Sequence, residues 1–107
     1  MFIRSAFWTG TPKPGMDEAF RALIDQQMVP AFRSLPGVRT ARALWPLRRE
    51  DNPPPVHCQF LVEFDDEDAL QRMLRSPERG ALRPKVAELI GMFDGAVSHI
   101  EYEVGAA

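Results

Sequence analysis

His57 and His99 are the only imidazoles in this 107-residue chain, and imidazole is the side chain whose ordinary pKa lies closest to neutrality. Each can give or take a proton, and Glu101, two residues beyond His99, is a further acid or base. Arg4 can clamp a carboxylate bidentately or pair with Glu101 or Glu103. Trp8 and Trp45 are flat apolar walls, and Gln59 and Leu61 follow His57 at alternate positions. The set fits proton transfer at the mouth of an apolar pocket, with His57, His99 and Glu101 as the catalytic candidates and Arg4, Trp8, Gln59, Leu61 and Trp45 as ligand contacts. The competing reading makes the same residues polar groups hydrogen-bonded across a dimer contact, with Arg4 in a structural ion pair and Trp45 in edge packing. Cys58, the only cysteine, is expected on a core face, where it is a small hydrophobe and not a nucleophile. No catalytic triad, glycine-rich phosphate loop or metal-spaced cysteine cluster is present, and no metal or cofactor is expected.

The elements that must position these residues follow from hydrophobic period and turn chemistry. Phe2 to Trp8 reads as a strand ending at the Thr9–Gly15 turn region. Asp17 can cap a helix carrying Phe20, Leu23, Ile24 and Met28 on one stripe, and Pro30 should break or kink it. Leu35-Pro36-Gly37 is a turn, residues 38–47 form a second strand, and the charged, proline-rich stretch 48–55 is a hairpin loop. The third strand alternates cleanly, with Val56, Cys58, Phe60, Val62 and Phe64 opposite His57, Gln59, Leu61 and Glu63. Burial of Phe60, Val62 and Phe64 contributes about 1.5–3 kcal/mol each, which opposes a register slip.

A second helix opens on acidic Asp65 to Asp68 and buries Ala69, Leu70, Met73 and Leu74. It restarts at Ser76-Pro77, bends near Pro84 and ends around Gly91, Asp94 and Gly95. The last strand sets Ile100, Tyr102 and Val104 against His99, Glu101 and Glu103.

The order predicts an α+β, ferredoxin-like βαββαβ fold, with a four-stranded antiparallel sheet ordered 4-1-3-2 and both helices on one face. All of residues 1–107 belong to this single domain, as the length suggests. The other face is then bare. If Ile3 and Phe7 look toward the helices, that face holds Phe2, Ala6, Trp8 and Leu61, with His57, Trp8 and His99 in one row, Gln59, Ala6 and Glu101 in the next, and Leu61, Arg4 and Glu103 beyond. So apolar a surface calls for a cover. Two strand spacings put the histidines about 9–10 Å apart, too far to share a zinc but suited to flanking a flat ligand.

A net charge of −2 supplies no basic field for nucleic acid or anionic lipid. RNA binding, which the same strand order can serve, is further opposed by the lack of stacking aromatics among His57, Gln59, Leu61 and Glu63. The start MFIRSAFW is too short and interrupted for a secretory signal or membrane span, so a cytoplasmic protein is expected.

The run from Met28-Val29-Pro30 to Leu35-Pro36-Gly37-Val38 resembles the His-Val-Pro…Leu-Pro-Gly signature of the EthD-like family, named after ethyl tert-butyl ether degradation. Phe64-Asp65, Ala69, Ser76-Pro77-Glu78 and Phe93 are similar to that family's Phe-Asp…Ala…Ser-Pro-Glu…Phe pattern. The resemblance implies a homodimeric α/β barrel, two sheets meeting bare face to bare face, with a small-molecule cavity in each subunit. Related barrels include cofactor-independent monooxygenases, isomerases, decarboxylases and haem-binding enzymes. Met28 departs from the motif's histidine and cannot transfer a proton, and Glu88 stands where the family often has aspartate. Two functions follow: a cofactor-independent oxygenase, isomerase or decarboxylase acting on a small apolar or aromatic metabolite, or a non-catalytic auxiliary that sequesters such a ligand.

Overall fold

Strand β1 (Phe2–Pro12) pairs with both β3 (Val56–Phe64) and β4 (Phe93–Glu103), and β2 (Thr40–Leu44) adds to the outer edge of β3. The resulting antiparallel sheet, in a computed structural model that describes residues 1–106, has the order β2-β3-β1-β4. This is the expected 4-1-3-2 arrangement read from the other edge, with the helices on one face. Two strands outrun the sequence reading. β1 continues through Thr9–Pro12, and β4 begins at Phe93 instead of after Gly95, because these two segments pair with each other. Partnered backbone amides outweigh the turn preferences of glycine and proline here.

The first helical layer is α1 (Asp17–Leu23), a π-turn segment (Ile24–Met28) and α2 (Val29–Arg33). Met16, not Asp17, occupies the cap position, and Asp17 and Glu18 instead put negative charge in the first turn. Pro30 does not break the helix. The preceding turn widens so that the Val29 N–H reaches the Ile24 carbonyl, five residues back, and proline enters at the start of α2, where its missing N–H is tolerated. The second layer is α3 (Glu67–Arg75), α4 (Pro77–Gly80) and α5 (Arg83–Gly91). Asp66 caps α3 by accepting from the Ala69 N–H at 2.8 Å, and Ser76 caps α4 by accepting from the Arg79 N–H at 3.2 Å.

The core lies between sheet and helices, where Phe20, Ile24, Leu70 and Met73 meet Cys58, Val62 and Phe64. Gly37 makes one close approach possible: its φ is +83°, and a Cβ there would collide with the Ala69 carbonyl oxygen. The Leu-Pro-Gly turn is thereby seated directly on α3.

The faces of β1 and β4 are the reverse of the expectation. Trp8 lies opposite Cys58, Ala6 opposite Phe60 and His99, and Arg4 opposite Val62 and Glu101. Residues directly opposite in a ladder share a face, so Arg4, Ala6, Trp8, His99 and Glu101 all look toward the helices. Ile3, Phe7, Ile100 and Tyr102 occupy the bare face with Gln59 and Leu61. Apolar residues of β1 fall on both faces, Phe2, Ala6 and Trp8 on one and Ile3 and Phe7 on the other, so its period alone does not say which set faces inward.

His57 is displaced for a different reason. Cys58 pairs with Trp8 and Val56 with Thr9, which leaves His57 as an extra residue opposite one step of β1. This β-bulge turns its ring onto the helix side, among Phe20, Trp45 and Phe93.

Candidate functional site

With Arg4, Ala6 and His99 turned inward, a cavity of about 340 Å³ lies between the sheet and the helical layer. Its sheet wall is Arg4, Ala6, Phe60, Val62 and His99, and its helix wall is Phe32 of α2, Arg79 of α4 and Arg83, Val86 and Ile90 of α5. That volume is in the range of small-molecule sites. A smaller chamber of about 90 Å³ adjoins it, sharing Ala6, Phe32, Phe60, Val86 and His99 as wall and continuing inward to Trp8, Ile24, Met28 and Leu89. The outer space is rimmed by guanidinium groups and the inner one is apolar.

The local causes are visible in each element. The strand period places Arg4, Ala6 and Trp8 in a line down the cavity wall, with small Ala6 leaving the room that a larger side chain would fill. Phe32 stands on Phe60, ring centroids 5.1 Å apart and nearly perpendicular, and closes one side. Trp8 is buried edge-on against Phe20 and Phe93, at 5.2 and 5.3 Å, so its indole is held rigidly as the chamber floor.

His99 lies at the mouth, where both spaces meet. It is on an outer strand and open to water on one side, yet its pKa is held below the ordinary value. Partial withdrawal from water is the main cause, followed by the positive charges of Arg4 and Arg79, with Glu101 acting in the opposite direction. His99 is thus poised as a neutral imidazole. Arg4 donates to Glu101 at 2.7 Å, one of the two partners, Glu101 and Glu103, that the sequence offered it. Arg79 donates weakly to the Leu74 carbonyl at 3.4 Å and, like Arg83, has no carboxylate partner among the described residues.

The remaining candidates are elsewhere. His57 is wedged among Phe20, Trp45 and Phe93, with centroid distances of 5.9–6.0 Å, and burial is the first cause of its lowered pKa. Trp45 is itself fixed, donating to Asp25 at 3.0 Å with Arg21 above its ring. Gln59 donates to the buried Ser5 hydroxyl at 2.9 Å on the bare face, and Leu61 lies beside it, away from the cavity. The expected row of His57, Trp8 and His99 therefore does not form: Trp8 separates two distinct helix-side clusters. Cys58 is fully buried and its thiol is pushed up to about 12, mainly by burial. Among the described residues no cluster of three His, Cys, Asp or Glu side chains is arranged to hold a metal.

No family model and no curated protein matches the sequence. Solved structures do match its fold. An ethyl tert-butyl ether degradation (EthD) family protein from Bacillus halodurans superimposes with a TM-score of 0.76 at 18% identity, over 98% of this chain and 99% of that one. The chain has the EthD-type fold. A protein from Deinococcus radiodurans assigned to the antibiotic biosynthesis monooxygenases matches with a TM-score of 0.73 at 18% identity, over 100% and 95% of the two chains. SnoaB, a cofactor-independent oxygenase from Streptomyces nogalater, matches at 0.61 and 18% identity, over 99% and 92%.

Met28 lines the inner chamber from the helix side, while His99 borders that chamber from the sheet. Sequence reasoning missed Phe32, Phe60, Val86, Arg79 and Arg83 as cavity residues. Val86 sits on a helical stripe that reads as ordinary core, Phe32 falls off the stripe of the first helix, and nothing in the local pattern of Arg79 or Arg83 separates them from solvated surface arginines.

Proposed function

We propose that this chain binds a small, largely apolar molecule in the cavity between its helices and sheet, and that His99 exchanges a proton with that molecule. The observation that carries the reading is the joined pair of spaces with His99 at their junction: an apolar chamber fitted to a hydrophobic group, next to a basic rim able to orient a polar one. An apolar enclosure beside one side chain able to take or give a proton is compatible with cofactor-independent oxygenation, isomerisation or decarboxylation. The likeness to SnoaB supports the first of these by fold analogy alone.

A homodimer through the bare face completes the proposal. Ile100, Tyr102 and Leu44 are each at least 40% exposed there, flanked by Ile3, Phe7 and Leu61. A second copy of the same surface would bury this patch, as in a two-sheet barrel. No helix among the described residues is long and apolar enough to cross a membrane, and a cytoplasmic location is part of the proposal.

A non-catalytic ligand-holding role is the second reading, favoured by Met28, whose thioether brings no proton to the chamber. Mass spectrometry of protein released from a native purification tests both. A co-purifying small molecule should be retained by the wild type and lost from Val86→Phe, whose larger ring fills the shared wall, with circular dichroism confirming that the variant is folded. Equal retention would place the ligand elsewhere. Conversion of the retained molecule by the wild type but not by His99→Gln supports catalysis, whereas retention without conversion supports the second reading.

A further inference from the structure

Resting on the cavity reading above, we infer that the ligand is an apolar carboxylic acid, bound with its carboxylate at Arg79 and Arg83 and its hydrophobic end in the inner chamber. Three guanidinium groups line one small space, and Glu101, paired with Arg4, offsets only one of them. Neither Arg79 nor Arg83 finds a carboxylate among the described residues. Arg79 is only partly exposed, with its affinity for a proton lowered by burial and by the charges of Arg4 and of Arg83 at the exposed edge, so two further cations bear on it across the cavity. Like charges gathered in a partly dry space are unfavourable unless an anion joins them, and a planar carboxylate matches the guanidinium fork.

The neutral state of His99 fits the same ligand. It adds no fourth positive charge beside the guanidinium groups, and an incoming anion would raise its proton affinity. The opposite end of the space sets the rest of the molecule. Trp8, Ile24, Met28 and Leu89 offer a polar group no strong hydrogen-bond acceptor, and a chamber of about 90 Å³ holds roughly the volume of three waters, at about 30 Å³ each. A ring edge or short branched alkyl group fits there; a long chain does not.

The test compares matched acids and amides. Benzoate, 4-methylbenzoate and 4-isopropylbenzoate, with their carboxamides, are titrated into the wild type and into Arg79→Gln/Arg83→Gln at low salt, followed by calorimetry. The acids should bind the wild type at least tenfold more tightly than the amides, and the double variant should lose that preference while keeping its affinity for the amides. Amides that bind as well as acids would overturn the carboxylate inference while leaving the cavity reading intact. If neither class binds, both fail. An acid preference that persists in the double variant would also overturn the assignment, since the anion would then be held elsewhere.

Discussion

Met28, from the helical layer, and His99, from the sheet, border the same apolar chamber. The pair sets a methyl thioether against an imidazole. Among the described residues the titratable ring at the chamber is His99, which enters from β4.

Met28 is 4% exposed, so its replacement separates packing from chemistry. Met28→Leu keeps volume and should cost less than about 1.5 kcal/mol. Met28→His puts a polar ring among Trp8, Ile24 and Leu89 and should cost about 1–3 kcal/mol. Urea unfolding of the two variants measures the difference, and equal midpoints would show that the Met28 site is wet.

The two histidines should separate by function. His57→Ala removes a ring from the Phe20, Trp45 and Phe93 cluster and should lower stability by about 1–2 kcal/mol without altering ligand retention. His99→Gln, at an exposed position, should change stability by no more than about 0.5 kcal/mol while weakening binding or turnover. Paired denaturation and binding measurements on each variant check this crossing of effects.

Both imidazoles titrate below their ordinary value of 6.5 in the folded chain. The unfolded chain therefore takes up protons first as pH falls, which favours unfolding. Stability should be full above pH 6.5 and decline as pH drops through the lowered folded-state values, ahead of the carboxylates, whose ordinary range is near 4. Urea midpoints between pH 7.5 and 5.5 should fall for the wild type and stay flat for His57→Gln/His99→Gln.

Ile100 is 48% exposed on the bare face and lies opposite Ser5 at the centre of the sheet. Ile100→Glu sets a charge in the proposed dimer contact and should shift the protein to monomer in sedimentation experiments, while the isolated chain remains folded. A wild type that sediments as a monomer would remove the two-sheet assembly from the account.

Topology was legible in the sequence because β3 alternates without ambiguity and because Asp66 and Ser76-Pro77 are strong helix starts. Side-chain direction on β1 was not, since Phe2, Ile3, Ala6, Phe7 and Trp8 supply apolar residues to both faces and only pairing with β3 and β4 decides between them. The bulge at His57 left no glycine or proline to mark it, so its ring appeared on the wrong side. Arg4 was readable as the partner of Glu101 or Glu103, and only the register of β1 against β4, shifted by two residues from the expected rows, selects Glu101. The basic rim was invisible: Arg79 and Arg83 meet Arg4 only after α4 and α5 fold back over the sheet.

Xenon, which enters apolar cavities whatever their natural ligand, tests most directly whether the binding space lies between helices and sheet. In a methyl-resolved NMR titration under xenon pressure, the Met28, Val86 and Leu89 methyl signals should shift together, with those of Ile3, Leu61 and Ile100 unchanged. Shifts confined to Ile3, Leu61 and Ile100 would place the cavity on the opposite face and contradict the account.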